Sequence, residues 1–79
     1  MDIENEIEQI ELENKDLTSQ RDMLLPSGTK ILVEKKICRN LLAKVCLMRE
    51  SGSTEDLQVS DMILKETMER LTNAVETYG

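Results

Sequence analysis

The spacing of apolar residues at both ends of the chain is the feature that most restricts its fold. Near the start, positions advance by alternating steps of four and three: Ile3, Ile7, Ile10, Asn14, Leu17, Arg21 and Leu24. Near the end, a second series has the same steps: Leu57, Asp61, Leu64, Met68, Leu71, Val75 and Tyr78. This period places a stripe along one side of an α-helix and does not fit the two-residue period of a strand. The sequence therefore predicts an all-α fold.

Two short polar stretches separate the periodic segments. The first, LPSGT, contains the only proline of the chain, and the second, ESGSTED, is rich in serine and acidic residues. Proline and glycine interrupt helices, so each stretch marks a helix boundary. We expect an N-terminal heptad coiled-coil helix followed by a helical hairpin in a three-helix arrangement. The bounds are 1–25 for the first helix, 29–79 for the hairpin, and 29–49 and 54–78 for the two helices within it.

The middle segment is apolar over more than half of its circumference. Ile37, Leu41 and Val45 share one broad face, while Leu32 and Leu47 lie off that face. A helix of this kind is usually packed on two sides, so we expect the middle helix to be central. Its start, GTKILVEKK, is β-branched enough to leave a short strand as the alternative.

Charge also differs between the segments. Residues 1–16 carry a net charge of −6, residues 28–50 carry +4 and residues 53–79 carry −4. An acidic, basic, acidic order fits a middle helix that lies between the other two. Surface ion pairs add little stability individually, but they help to select partners and register.

Asn14 and its neighbouring glutamates bear on how the first segment associates. An amide at a core position of a coiled coil costs stability and favours a parallel, two-stranded, in-register pair. In a parallel homodimer, however, Glu6 would face Glu11 of the other chain, which favours a basic partner. Two arrangements remain open: a coil between chains, or a seam against this chain's own basic second segment. Arg21, the next polar residue of the seam, is expected to extend its charge outward.

The composition favours association with another chain. The chain has 79 residues, no Phe or Trp, and a single Tyr, although aromatic residues normally supply the largest burials in a core. A domain of this size buries only about 60% of its unfolded surface and is marginal on its own. We therefore expect a homodimer or another homo-oligomer, with a heteromeric partner that offers a basic helix as the alternative.

These features predict a non-enzymatic protein–protein interaction module, an oligomerisation or scaffolding subunit of a larger intracellular assembly. The predicted partner-binding residues of the first seam are Ile3, Ile7, Ile10, Asn14, Leu17 and Leu24. Those of a second candidate seam are Leu64, Met68, Leu71 and Val75. The alternative is a small helical regulator or chaperone that binds a target helix in a groove between its helices, where methionine side chains offer adaptable contacts.

Several other classes of function are disfavoured. The chain has no His, the commonest general base and metal ligand, and it has neither a nucleophile elbow nor a phosphate-binding loop. We therefore expect no enzyme activity, metal or cofactor. A net charge of −6 disfavours nucleic acid and anionic membranes as partners. The basic middle segment could still be a calmodulin target or a membrane-surface helix, but it lacks the usual aromatic anchor.

The remaining sequence features concern the compartment and two kinds of reactive side chain. No run approaches the roughly 18 apolar residues that span a bilayer, and the charged start is unlike a signal peptide, so we expect an intracellular protein of cytoplasm or nucleus.

Cys38 and Cys46 lie eight residues apart, about 12 Å along a helix, too far for a disulfide. We expect both to be small buried apolar side chains. Ser53, with Asp56 three residues later, predicts a helix cap, and phosphorylation of Ser53 is the alternative.

Overall fold

The computed structural model describes residues 2–23, 27–52 and 54–78. These residues form three α-helices and no strand: α1 (Ile3–Met23), α2 (Ser27–Ser51) and α3 (Thr54–Tyr78). The all-α, three-helix prediction is confirmed. The alternative of a strand at the start of the middle segment is wrong, because α2 is already helical at Ser27. Helix α2 extends two residues beyond the predicted segment at each end, and α3 has the predicted bounds.

Local chemistry accounts for several helix ends. At the start of α1, the Oδ1 atom of Asp2 accepts a hydrogen bond from the Glu4 backbone N–H at 3.1 Å, as an N-cap does. Gly52 follows α2 with a φ of 74°, the left-handed conformation that commonly ends a helix and that glycine adopts without steric cost. Just before Gly52, at the end of α2, the Ser51 hydroxyl donates to the Asp56 carboxylate in the first turn of α3. This hydrogen bond joins the two helices of the hairpin.

The three helices form one thin layer with α2 in the middle. Helix α2 packs against both α1 and α3, which confirms that the middle helix is central. Within the described residues, α1 and α3 do not pack against each other. The Cα atoms extend over 41 × 23 × 12 Å, so the shortest dimension is about half of the middle one.

Contacts at both ends show that α2 and α3 are antiparallel. Arg49, near the end of α2, pairs with Asp61 near the start of α3 at 2.7 Å. Lys30, near the start of α2, lies 5.8 Å from the ring centre of Tyr78 at the end of α3. Helix α1 is antiparallel to α2 as well, because its last turn contacts the first half of α2 through Arg21.

The two interfaces of α2 are built differently. On the α1 side, Leu17 is buried against Val33 and Ile37, and Leu41 packs at the edge of this cluster. On the α3 side, the buried residues of α3 are all small and lie seven positions apart: Ser60, Thr67 and Ala74. Small side chains let two helices approach closely, so larger side chains of α2 supply most of the apolar volume there.

Candidate functional site

The first predicted seam lies against α2 of the same chain. Leu17 is buried, and the other seam residues that the structure describes are partly buried: Ile3, Ile7, Ile10 and Asn14. The Asn14 amide donates to the Ile37 carbonyl at 3.4 Å and accepts from the Asn40 amide at 2.9 Å. Glu11 pairs with Lys44 at 2.9 Å. Of the two arrangements left open by the sequence, the single chain adopts the seam against its own basic second segment.

One buried carboxylate links all three helices. Glu34, on α2, is only 2% exposed and accepts hydrogen bonds from Arg21 of α1 at 2.6 Å and from Arg70 of α3. The expectation that Arg21 extends outward is wrong, because the α2 carboxylate gives it an inward partner. This hydrogen bond to Glu34 raises the pKa of the Arg21 guanidinium above its ordinary value. Water is largely excluded from the carboxylate, whereas the Arg21 and Arg70 side chains remain 19% and 34% exposed.

An open depression lies beside this charge cluster, on the side of the α2–α3 hairpin that α1 occupies. Its walls include Arg21 from α1 and a row of α3 side chains that comprises Glu66, Asn73 and Thr77. The arginines are already paired with Glu34, so the depression offers no concentrated charge of one sign. Within the described residues, no group of three or more acidic or cysteine side chains is arranged to hold a metal ion.

The second predicted seam is exposed on the side of α3 that lies opposite the depression. Met68 is 71% exposed, Val75 51% and Leu71 37%, while Leu64 is partly buried. With about 100° between successive residues, this seam lies roughly 70° around the helix from the small residues that face α2. The row lining the α1-side depression lies on the other flank of α3. The seam therefore faces away from α1.

Helix α2 adds a second exposed row, which the apolar pattern of this helix did not predict. Leu32 is 59% exposed and Leu42 is 44% exposed, and they occur in a series with steps of three and four residues: Leu32, Lys35, Arg39, Leu42, Cys46 and Arg49. Because α2 and α3 are antiparallel, this row and the α3 seam lie on the same side of the hairpin. Leu57, which is 41% exposed, continues the α3 seam toward the start of the helix. We call the row and the seam together the outer face; its residues are Leu32, Lys35, Arg39, Leu42, Cys46, Arg49, Leu57, Leu64, Met68, Leu71 and Val75.

The two cysteines occupy different environments. Cys38 is buried and Cys46 is exposed, so the expectation of two buried thiols is right for the first and wrong for the second. Cys46 is exposed because it lies on the outer face and not on the side of α2 that contacts α3. Burial, with a smaller contribution from nearby Glu34, raises the pKa of the Cys38 thiol.

This difference predicts selective alkylation. At pH 8, iodoacetamide should modify Cys46 at least about tenfold faster than Cys38, because the thiolate is the nucleophile and Cys38 is both shielded and less ionised. Mass spectrometry of the native protein over time measures both rates. The Cys46→Ser variant should keep only the slow reaction, and unfolding in urea should make the two sites similar. Equal rates in the native protein would contradict this assignment.

Two predicted site residues, Leu24 and Ser53, lie outside the described residues, so the structure does not describe the end of the first seam or the predicted phosphorylation site. Across the described helices, none combines the length and the apolarity that crossing a bilayer requires. Comparison of the chain with protein-family models, with curated proteins and with solved structures gave no match.

Proposed function

We propose that the chain is a non-enzymatic oligomerisation module of an intracellular assembly and that it associates through the outer face. The observation that carries the proposal is the α3 seam, in which Leu57, Met68, Leu71 and Val75 are exposed and Leu64 is partly buried. Single exposed apolar residues are ordinary on protein surfaces. A series with heptad steps along about five turns is the pattern that interlocks with another helix.

The size and composition of the face support this proposal. Complete burial of an exposed Leu, Met or Val side chain is worth about 1.5–3 kcal/mol, and several such residues lie side by side here. Leu32 and Leu42 widen the apolar area toward α2. Lys35 and Arg39 lie between them, and such charges at the edge of an interface favour an acidic partner.

The first seam contributes less to this proposal than the second. Its residues already pack on α2, and Asn14 is held by hydrogen bonds to that helix. An intermolecular coil through α1 would first have to separate α1 from α2 and break the Arg21–Glu34 pair. The outer face requires no such rearrangement, so the interface is proposed there.

Mass measurements test the proposal directly. Light scattering behind a sizing column should show the wild-type mass rising from 9.0 kDa toward twice that value as concentration increases. Met68→Glu should weaken association at least about 100-fold, because it would bury a charge in the centre of the apolar seam. Met68 is 71% exposed in the single chain, so this variant should fold normally.

Leu12→Glu is the matched control, because Leu12 is also exposed but lies on α1, away from the outer face. It should associate like the wild type. A mass of 9.0 kDa at every concentration would overturn the proposal and favour the alternative function, a regulator that binds the helix of a different protein. Equal weakening by both substitutions would also contradict the outer face as the interface.

A further inference from the structure

We infer that Glu34, Arg21 and Arg70 form a two-sided latch, in which either outer helix can release its arginine while the other keeps the buried carboxylate neutralised. Helices α1 and α3 do not pack against each other within the described residues, so these side chains join them through α2. The latch borders the depression and not the outer face, so it is independent of the proposed association.

The two arginines bind different atoms of the carboxylate. Arg21 donates from Nη1 to Oε2 of Glu34, and Arg70 donates from Nε to Oε1. Neither arginine therefore has to leave before the other can bind. The release of one arginine leaves the hydrogen bond of the other in place.

Each arginine also has a second carboxylate on its own helix. Arg21 already donates to Asp22, from Nε at 3.2 Å and from Nη2 at 3.0 Å. Arg70 shares the wall of the depression with Glu66, which lies four residues earlier on α3, a spacing at which opposite charges pair along a helix. An arginine that leaves Glu34 thus keeps or gains an acidic partner near solvent.

Glu34 depends on the two arginines more strongly than they depend on it. Its side chain is 2% exposed, so without either arginine it would be an uncompensated charge away from water. A buried ion that loses its partner is strongly destabilising, whereas an ion with one remaining partner is still compensated. The free-energy cost therefore falls mainly on the release of the second arginine. The layer can open its latch on one side at a time, but not on both.

A double-mutant cycle tests this difference between the first and the second release. Replacement by Met imitates the release of an arginine, because Met fills much of the same space without a charge or a hydrogen-bond donor. Urea unfolding gives the equilibrium constant of unfolding for the wild type, Arg21→Met, Arg70→Met and the double variant. Each single substitution should raise this constant about 10-fold. The double variant should exceed the product of the two single increases at least about fivefold, because only there does Glu34 lose both partners.

A change of sign in the effect of Glu34→Gln provides a second readout. In the wild-type background this substitution should destabilise the chain. In the double variant it should lower the equilibrium constant of unfolding at least about fivefold, because it removes the uncompensated charge. This readout remains decisive if the double variant is unfolded, since adding Glu34→Gln should then restore folding.

Arg49→Met is the matched control. Arg49 pairs with Asp61 across α2 and α3, as Arg70 pairs with Glu34, but it shares no partner with Arg21. Combined with Arg21→Met, it should give the product of the two single increases within about twofold. All samples are kept at a concentration at which light scattering gives a mass of 9.0 kDa, so that association adds no stability.

Three results would overturn the latch and leave the proposed oligomerisation module in place. The first is a double variant that only equals, or falls below, the product of the single increases. The second is a further loss of stability when Glu34→Gln is added to the double variant. The third is an equal excess in the control pair, since the coupling would then not pass through Glu34.

Discussion

Replacing Glu34 by Gln is expected to lower the free energy of unfolding by about 2–3 kcal/mol, because hydrogen bonds to charged groups are worth about 1.5–3 kcal/mol. The carboxylate is 2% exposed and is the shared acceptor for Arg21 and Arg70. A neutral amide accepts from one arginine less strongly and cannot pair with both. The arginine side chains are 19% and 34% exposed, so they recover some hydration, and the loss stays below that of a fully buried pair. Urea unfolding followed by helical circular dichroism measures the effect.

A triple substitution separates the effect of the charges on stability from the effect of side-chain packing in this cluster. Arg21→Met, Glu34→Met and Arg70→Met together should remain within about 1 kcal/mol of the wild type, because no unpaired charge is left behind. All samples are compared at one protein concentration, since association would add stability. Wild-type stability of Glu34→Gln would contradict the role of Glu34 in holding the three helices together.

Replacing Ile37 by Ala is expected to cost about 3 kcal/mol, within the range of 2–5 kcal/mol for truncating a buried Ile. Ile37 is 1% exposed and packs with Leu17 and Val33 where α1 meets α2. The thin layer offers few side chains that could move into the cavity. A chain of 79 residues has a total stability of about 4–12 kcal/mol, so the loss should be a large fraction.

Leu12→Ala is the control for this measurement. Leu12 is 53% exposed on the opposite side of α1, and its truncation should change the free energy of unfolding by no more than about 0.5 kcal/mol. Thermal and urea unfolding of both variants give the comparison. Similar losses for the two variants would mean that α1 does not pack on α2 as described.

The three helices and the central place of α2 were predictable because hydrophobic period and helix-breaking residues are local properties. The partner of α1 was not predictable, because it depends on residues far away in the sequence. Asn14 and Arg21 interrupt the first seam, and only the structure shows that Asn40 and Glu34 on α2 match these two interruptions. Polar residues at seam positions are equally compatible with a coiled coil between two chains.

The outer face was predictable only in part. Its α3 residues have clear heptad steps, and their exposure follows because α3 contacts α2 through a neighbouring row that includes Ser60 and Ala74. The heptad pattern of α3 identifies its most apolar positions. It does not reveal that the small side chains of α3 let this helix approach α2 most closely. The exposed row of Leu32 and Leu42 was not recognised because α2 is apolar over more than half of its circumference, so its pattern has little contrast between faces.

The thin layer has a consequence for how stability scales with size in this architecture. In a single row of helices, each helix–helix interface is open to solvent on both broad sides of the row. Another helix at the edge therefore adds buried area and solvent-exposed area in nearly fixed proportion. Enclosed volume grows faster than exposed area only when a second layer is stacked on the first. A chain of this shape can therefore improve its ratio of interior to surface by covering its broad side, and not by growing longer.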